Sequence, residues 1–250
     1  MENRAPSPGH LLTRVPAAAS IHVIIPALDE RDAIGAVVAS ARRMAVASVT
    51  VVDNGSSDDT AEVARRAGAR VVAEPERGYG AACLAGLRAL TTHRGARADD
   101  IIVFLDGDGS DSADELPTLV LPILDGKADL VVGARRPSET GALAPAQRVG
   151  NAIAAGWLRL RFGLRASDLG PFRAIRRSSL ERLGMSDRGY GWTVEMQIKA
   201  ARAGLRYREV RVPYRRRQGG RSKISGTIRG SIGAGLTIIG LLVRHGLRPG

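Results

Sequence analysis

Two carboxylates stand one residue apart in the segment Asp106-Gly107-Asp108. They directly follow residues 101–105, an apolar run that is typical of a buried strand. Two acids at the end of one strand can share a divalent cation, and carboxylate oxygens suit Mg²⁺ or Mn²⁺. Gly107 lets the backbone approach a ligand closely. Aspartate pairs of this spacing are also common in solvated loops, so the surrounding elements decide whether this one forms a site.

Those elements alternate between strand and helix patterns in the first half of the chain. Short apolar runs predict five strands, and the segments between them carry helical spacing, helix caps and glycine stops. The predicted strands cover residues 21–25, 49–52, 70–73, 101–105 and 130–133. Strands that alternate with helices predict an α/β fold whose parallel sheet is covered on both faces.

Acidic residues follow three of these strands. Glu30 comes after the first strand, Asp53 after the second, and Asp106 and Asp108 after the fourth. Ligands of such sheets bind beyond the carboxyl ends of the strands. Carboxylates that converge there repel one another unless a cation or hydrogen-bond donors lie between them. The sequence therefore predicts a ligand site at this edge.

The second half of the chain is strongly basic. Residues 1–134 contain 13 Lys and Arg against 19 Asp and Glu, a net charge of −6, whereas residues 135–250 contain 24 against 6, a net charge of +18. This asymmetry suggests an anionic partner such as nucleic acid, a membrane surface or a phosphorylated substrate. An arginine-rich genome is the plainer explanation, since 34 of the 37 basic residues are Arg.

The predicted elements of the second half end in a basic segment and an apolar helix. We expect helices over residues 148–162 and 194–203, strands over 169–175 and 207–212, a basic segment over 213–223, and an apolar helix over about 226–244. The apolar run 230–243 is shorter than the roughly 20 residues that cross a bilayer. No secretory signal is recognisable, and the single cysteine, Cys83, excludes a disulfide scaffold. We expect a cytoplasmic protein, with peripheral contact on the inner face of the plasma membrane as the alternative.

Seven segments, in order, resemble motifs of the family 2 glycosyltransferases. They fit the polyprenyl-phosphate branch, which includes dolichol-phosphate mannose synthase. The segments are residues 24–30 (IIPALDE), 51–58 (VVDNGSSD), 77–82 (RGYGAA), 104–108 (FLDGD), 132–135 (VGAR), 168–173 (DLGPFR) and 217–223 (RQGGRSK). The chain departs from the family pattern at Asp29 and Asn54, where the pattern has asparagine and aspartate, and at Ser110, where some relatives place a further metal ligand.

The resemblance implies a GT-A (Rossmann-like), mostly parallel sheet flanked by helices. It also implies a flexible tail over residues 1–20 and a catalytic domain over 21–225, and residues 226–250 then form a helix that either closes the core or lies at a membrane interface. The implied activity is inverting transfer of a sugar from a nucleotide diphosphate sugar to an acceptor, foremost a polyprenyl phosphate.

The resemblance also implies roles for particular residues. Asp106 and Asp108 would hold Mg²⁺ or Mn²⁺, and Asp108 and Asp168 would be catalytic. The nucleotide sugar would be bound by Pro26, Leu28, Glu30, Asp53, Arg77, Gly78, Asp106, Gly107, Asp108 and Arg135. The acceptor phosphate would be bound by Arg217, Ser222 and Lys223.

The acceptor decides whether a base is needed. A phosphate monoester is largely dianionic at neutral pH, because its second pKa is about 6. A hydroxyl acceptor needs a carboxylate within reach, for which Asp168 and Glu195 are candidates. Glu195 can instead pair with Lys199 four residues on.

Three other functions remain open from the sequence. The first is a glycosyltransferase with a soluble acceptor, and the second is a GT-A-like scaffold without activity, which the retained aspartate pair disfavours. The third is a nucleic-acid-binding protein that uses the basic half. Only 4% of the residues are aromatic, and no nucleic-acid-binding motif is recognisable, so we expect no nucleic-acid partner.

Overall fold

Seven strands in one sheet, with helices packed on both faces, make up the described part of the chain. The computed structural model describes residues 19–91, 97–137 and 145–218. The strands are β1 (Ile21–Ala27), β2 (Ser48–Asp53), β3 (Arg70–Ala73), β4 (Ile101–Phe104), β5 (Leu130–Pro137), β6 (Arg173–Arg176) and β7 (Tyr207–Tyr214). The helices are α1 (Arg31–Arg42), α2 (Thr60–Arg66), α3 (Tyr79–Thr91), α4 (Leu116–Leu124), α5 (Pro145–Phe162), α6 (Arg177–Leu183) and α7 (Trp192–Arg202).

The strand order is β3-β2-β1-β4-β6-β5-β7. The first four strands pair in parallel, as do β5 and β7, whereas β6 runs antiparallel to β4 and to β5. The prediction of a mostly parallel α/β sheet is confirmed. Because β6 is reversed, its first residue lies at the same edge as the carboxyl ends of the other strands. The loop before β6 therefore meets the loops that follow β1, β2, β4 and β5.

Two apolar cores lie on opposite faces of the sheet, because successive side chains of a strand point to opposite sides. Ile25 belongs to the core under α1 and α4, whereas Ile24 and Phe104 belong to the core under α3 and α7. Phe104 packs edge to face on Trp192, with ring centroids 5.7 Å apart. A smaller third cluster joins α5 to α7. The strand ends that carry the acids are thus held on a rigid base.

The predicted strand over residues 169–175 begins too early, because pairing starts only at Arg173. The Arg173 side chain is fully buried, and its guanidinium donates to the backbone carbonyls of Thr193, Leu169 and Gly170. The backbone carbonyls of Leu169 and Gly170, just before β6, therefore point to the buried guanidinium of Arg173. Helix α6, which directly follows β6, was not predicted either, since its seven residues are too short for a clear periodic pattern.

Several predicted features lie outside the described residues. These are most of the tail over 1–20, the residues Ser222 and Lys223, and the terminal helix over 226–250. In the three described ranges, no helix is both long and apolar enough to cross a membrane.

Candidate active site at the carboxyl edge of the sheet

The loops after β1 and β2 are joined through Asp29. Its backbone N–H donates to Ser56 Oγ over 2.9 Å, and its Oδ1 accepts from the backbone N–H of Ser57 over 2.7 Å. Asp29 has a φ of 51°, in the left-handed region that aspartate and asparagine tolerate better than most residues. Aspartate can therefore replace the family's asparagine here without loss of the turn.

Asn54 ties the end of β2 to the segment that leads into α3. Its Nδ2 donates to the carbonyls of Glu74 and Glu76 over 2.9 and 2.7 Å. Its Oδ1 accepts from the backbone N–H of Gly78 over 2.8 Å. A carboxylate could not make the two donations, so this second departure from the family pattern has a local structural reason. The neighbouring Asp53 accepts from the Ser56 backbone N–H over 3.1 Å.

The glycines of the turn before α3 lie against another part of the chain. A Cβ on Gly78 would stand 2.1 Å from the Arg188 carbonyl oxygen, and one on Gly80 would stand 2.0 Å from that of Asp187. The backbone N–H of Gly80 donates to the carbonyl of Gly189 over 3.1 Å. These glycines are thus required for close packing within the chain, and nucleotide binding by Gly78 stays a prediction. Arg77, also predicted to bind the nucleotide, lies with its Nε 3.4 Å from the Cβ position of Gly55.

Glu195 in α7 holds the segment that covers this turn. Its carboxylate accepts from the backbone N–H groups of Ser186 and Asp187, and it forms an ion pair with Lys199 over 2.7 Å. Burial alone would raise the pKa of Glu195, but these donors outweigh burial and lower it. The predicted pairing with Lys199 is therefore present, and Glu195 is engaged as an anchor.

Each member of the aspartate pair accepts hydrogen bonds through one oxygen. Tyr79 Oη donates to Asp106 Oδ1 over 3.1 Å. The backbone N–H and Oγ of Ser110 donate to Asp108 Oδ1 over 2.9 and 2.6 Å. Ser110 thus orients Asp108 here. Burial, reinforced by the charge of Asp108, raises the pKa of Asp106 to about 7.

The carboxylate oxygens of Asp106 and Asp108 are of the kind that binds a divalent cation. The charge of Asp108 raises the pKa of Asp106, and this repulsion is relieved when positive charge lies between the two carboxylates. Within the described ranges, no group of three or more His, Cys, Asp or Glu side chains could hold a metal ion. Proteins commonly hold Mg²⁺ by one or two carboxylates while substrate phosphates and water supply the other ligands, so metal binding by Asp106 and Asp108 stays a prediction.

Arg135, at the end of β5, is clamped by Asp168 from the loop before β6. The guanidinium donates twice to the carboxylate, over 2.7 Å each, and the Arg135 backbone N–H donates over 2.9 Å. Asn151 of α5 adds a donation of 2.6 Å, and the Tyr214 ring lies 5.3 Å from Arg135 Cζ. Burial would raise the pKa of Asp168, but Arg135 outweighs it and lowers that pKa. Asp168 thus holds Arg135 in place, and its predicted catalytic role stays a prediction.

The segment after β7 lies along the aspartate loop. The backbone N–H of Gln218 donates to the Asp108 carbonyl over 2.8 Å, and that of Arg215 donates to the Ser110 carbonyl over 2.9 Å. Arg217 forms an ion pair with Glu30 from the loop after β1. The fold therefore brings the first residues of the basic segment to the aspartate pair.

The remaining predicted residues lie close to this edge. Pro26 is buried in β1 opposite Val52, and Leu28 directly follows β1. Gly107 packs against the core under α1 and α4, where a Cβ would stand 3.2 Å from Ile34 Cδ1. Except for Ser222 and Lys223, which lie outside the described residues, the predicted residues lie at or after the ends of β1, β2, β3, β4, β5 and β7 or in the loop before β6.

Sequence reasoning missed four residues of this arrangement, Tyr79, Asp111, Asn151 and Tyr214. Asp111 is 2% exposed, and its carboxylate oxygens have no hydrogen-bond partner among the described residues. Burial, followed by the charge of Asp106, raises the pKa of Asp111 well above its ordinary value. The only signal in the sequence was a third acid three residues after Asp108.

Comparisons with known proteins agree with this geometry. The family model for glycosyl transferase family 2 matches residues 22–184. An uncharacterised glycosyltransferase of Mycobacterium tuberculosis is 44% identical over 86% of this chain and 94% of its own length. The undecaprenyl-phosphate mannosyltransferase of Micrococcus luteus is 33% identical over 80% of this chain and 85% of its own length. Glucosyl-3-phosphoglycerate synthase of M. tuberculosis, crystallised with Mn²⁺, UDP-glucose and phosphoglyceric acid, superposes with a TM-score of 0.79 at 26% identity, covering 100% of this chain and 87% of that one.

Proposed function

Because the chain belongs to glycosyl transferase family 2, we propose that it transfers a sugar from a nucleoside diphosphate sugar to an acceptor phosphate, with inversion at the anomeric carbon. The observation that carries the proposal is the meeting of Asp106 and Asp108 with Arg135 and Arg217 at one sheet edge. Arg135 is held at the end of β5 by Asp168. The segment that carries Arg217 donates to the Asp108 carbonyl through the Gln218 backbone N–H over 2.8 Å, and Arg217 itself pairs with Glu30.

The donor would lie with its diphosphate over the aspartate pair. Mg²⁺ or Mn²⁺ held by Asp106 and Asp108 would offset the charge that develops on the leaving diphosphate. Arg135 is already fixed by Asp168, so it can stabilise that charge with little reorganisation. The loops that carry Leu28, Asp53 and Arg77 border the same edge and would surround the nucleoside.

The geometry supports a phosphate as the attacking group. Asp168 is engaged by Arg135 and Asn151, and Glu195 by the segment that it anchors, so neither is poised as a base. A phosphate dianion can attack without a strong base, and the basic segment after β7 would attract it. We therefore assign a polyprenyl phosphate as the acceptor, the substrate class named for the Micrococcus relative.

A soluble phosphorylated acceptor is the second candidate. It is favoured by the likeness to a synthase that was crystallised with phosphoglyceric acid. An acceptor of that kind would reach the same basic segment without any membrane.

Helix α5 supports contact with a lipid surface. It exposes Ile153 and Leu160, which are 60% and 89% accessible, and residues 145–162 contain arginines but no acid. Exposed apolar side chains among cations fit the interface of an anionic bilayer. Asn151, two residues before Ile153, donates to the Asp168 that holds Arg135, so α5 connects this surface to the proposed site. We propose peripheral contact with the cytoplasmic face of the plasma membrane.

A donor and acceptor screen tests the proposal. UDP-glucose and GDP-mannose, labelled in the sugar, are incubated with the protein and Mn²⁺, together with undecaprenyl phosphate, 3-phosphoglycerate or neither. Label in the organic phase only with undecaprenyl phosphate supports the lipid acceptor, whereas label on 3-phosphoglycerate supports the soluble one. No transfer from any nucleotide sugar to either phosphate would contradict the proposal. The anomeric coupling constant of the product tests inversion, since an α-linked donor must give a β-linked product.

A further inference from the structure

The first residue of α3, Tyr79, contacts the aspartate pair. Tyr79 directs its hydroxyl at Asp106 Oδ1 over 3.1 Å, and its ring packs beside the core under α3 and α7. The hydroxyl is a neutral donor, so it can bind one oxygen of the carboxylate without replacing a cation at the other.

The position of Tyr79 is fixed by contacts on both sides of it. Before it, Gly78 donates its backbone N–H to Asn54 Oδ1 over 2.8 Å. After it, the backbone N–H groups of Gly80 and Ala81 donate to the carbonyls of Gly189 and Arg188 over 3.1 and 2.9 Å. These hydrogen bonds fix the backbone on both sides of Tyr79 and so limit the positions that its hydroxyl can take.

The segment over residues 186–189 that locks this backbone is itself held by α7. Glu195 accepts from two of its backbone N–H groups and is paired with Lys199. A continuous set of contacts thus runs from α7 through the segment and the turn to Asp106.

We propose that Tyr79 is a positioning residue that orients the Asp106 carboxylate toward a divalent cation. This inference rests on the cation site in the proposed function. The hydrogen bond fixes Oδ1, so the other oxygen is aimed before the cation arrives. Without the hydroxyl, the Asp106 carboxylate can rotate away from that orientation, and cation binding becomes weaker.

Mn²⁺ binding, followed by the electron paramagnetic resonance signal of the free ion, tests this inference in the presence of UDP. Tyr79→Phe removes only the hydroxyl, and Tyr190→Phe, at a residue that is 38% exposed, is the matched control. Loss of a hydrogen bond to a charged group predicts Mn²⁺ affinity about tenfold weaker in Tyr79→Phe and unchanged in Tyr190→Phe. UDP binding without Mn²⁺ should stay unchanged in both variants, a result that general disruption of the site would not give.

The outcomes separate this inference from the proposed function. If Asp106→Asn loses Mn²⁺ binding but Tyr79→Phe keeps wild-type affinity, the role of Tyr79 is refuted and the cation site stands. If the wild-type protein binds no Mn²⁺ with any nucleoside diphosphate, the cation site and the role of Tyr79 both fail.

A fluorine label keeps the inference testable if Tyr79→Phe does not fold. The protein contains 4 tyrosines, so 3-fluorotyrosine gives four fluorine-19 signals. The signal of residue 79 should broaden on addition of Mn²⁺ and should stay sharp in Asp106→Asn. A signal that stays sharp in the wild-type protein while Mn²⁺ is bound would refute the inference.

Discussion

At the scale of single residues, local backbone conformation and hydrogen bonding explain two of the three departures from the family pattern. Asp29 keeps its turn because aspartate tolerates a φ of 51° as asparagine does. Asn54 is needed because two carbonyls face it and require donors. The sequence identified both positions but could not give these reasons, because the partners of Asn54 are 20 and 22 residues away along the chain.

Asn54→Asp should destabilise the fold. The change removes both donations to backbone carbonyls and places a buried carboxylate against them, so we expect a loss of about 2–4 kcal/mol in the free energy of unfolding. Urea unfolding measures the loss. Ala152→Asp, on the exposed face of α5, adds the same charge and should change stability by under about 0.5 kcal/mol. Equal effects of the two variants would contradict the assigned role of Asn54.

The buried pair of Asp168 and Arg135 predicts a pH dependence. Arg135 lowers the pKa of Asp168 in the folded protein, so the pair stabilises the fold above the ordinary aspartate pKa of about 3.9. This stabilisation is lost as the pH falls below that value toward the lowered pKa. Asp168→Asn should therefore cost about 3 kcal/mol at pH 7, because it leaves a buried guanidinium without its anion.

The same comparison at lower pH provides the test. Unfolding free energies of the wild-type protein and Asp168→Asn should converge as the pH is lowered from about 4 toward the lowered pKa of Asp168. A difference that stays constant over this range would show that Asp168 is not the ionised partner of Arg135.

At the scale of elements, the apolar runs predicted most of the sheet, but contacts distant in sequence set its remaining features. Residues 101–105 predicted β4 to within one residue, because buried strands read as continuous apolar runs. Residues 130–133 predicted only the buried first half of β5, which continues to Pro137 through exposed and partly exposed residues. The start of β6 was missed because the buried Arg173 draws the preceding carbonyls away from strand pairing. The turn before α3 looked like a ligand loop, yet its glycines meet residues 187–189, a contact that no local pattern announces.

Glu195 anchors the segment over residues 186–189, and its replacement should change hydrogen exchange locally. Glu195→Gln keeps the shape of the side chain but weakens its bonds to the backbone of residues 186–187 and removes the charge that pairs with Lys199. We expect amide hydrogen exchange to become faster at residues 80–81 and 186–189. Glu181→Gln is the control, since Glu181 pairs with Arg177 at the surface and is 59% exposed. Unchanged exchange at residues 80–81 in Glu195→Gln would separate the anchor from the turn.

At the scale of the whole molecule, charge divides the chain into two parts that meet at the site. The acids of the first half lie on the loops after β1, β2 and β4, and the basic segment of the second half lies along them through Arg215 and Gln218. The strand ends predicted the acidic edge, and the family resemblance gave Arg217 of the basic segment a role at the same site. The sequence could not predict that α5 has an exposed apolar surface. A pattern that marks one face of a helix as buried does not tell whether another part of the chain covers the opposite face.

The exposed side of α5 predicts how the whole protein meets a lipid surface. A double variant, Ile153→Gln and Leu160→Gln, removes the two most exposed large apolar side chains of the helix and leaves its arginines in place. Because apolar burial and attraction to anionic lipids both contribute to interfacial binding, we expect the variant to co-sediment with phosphatidylglycerol vesicles less than the wild-type protein does. Tyr190→Gln makes a similar change at an exposed residue on the segment beside α3, and it should sediment like the wild-type protein. Added salt should lower sedimentation of all three proteins, since it screens the arginines. If the double variant sediments as well as the wild-type protein, α5 is not the contacting surface, and the lipid acceptor must be reached through another part of the chain.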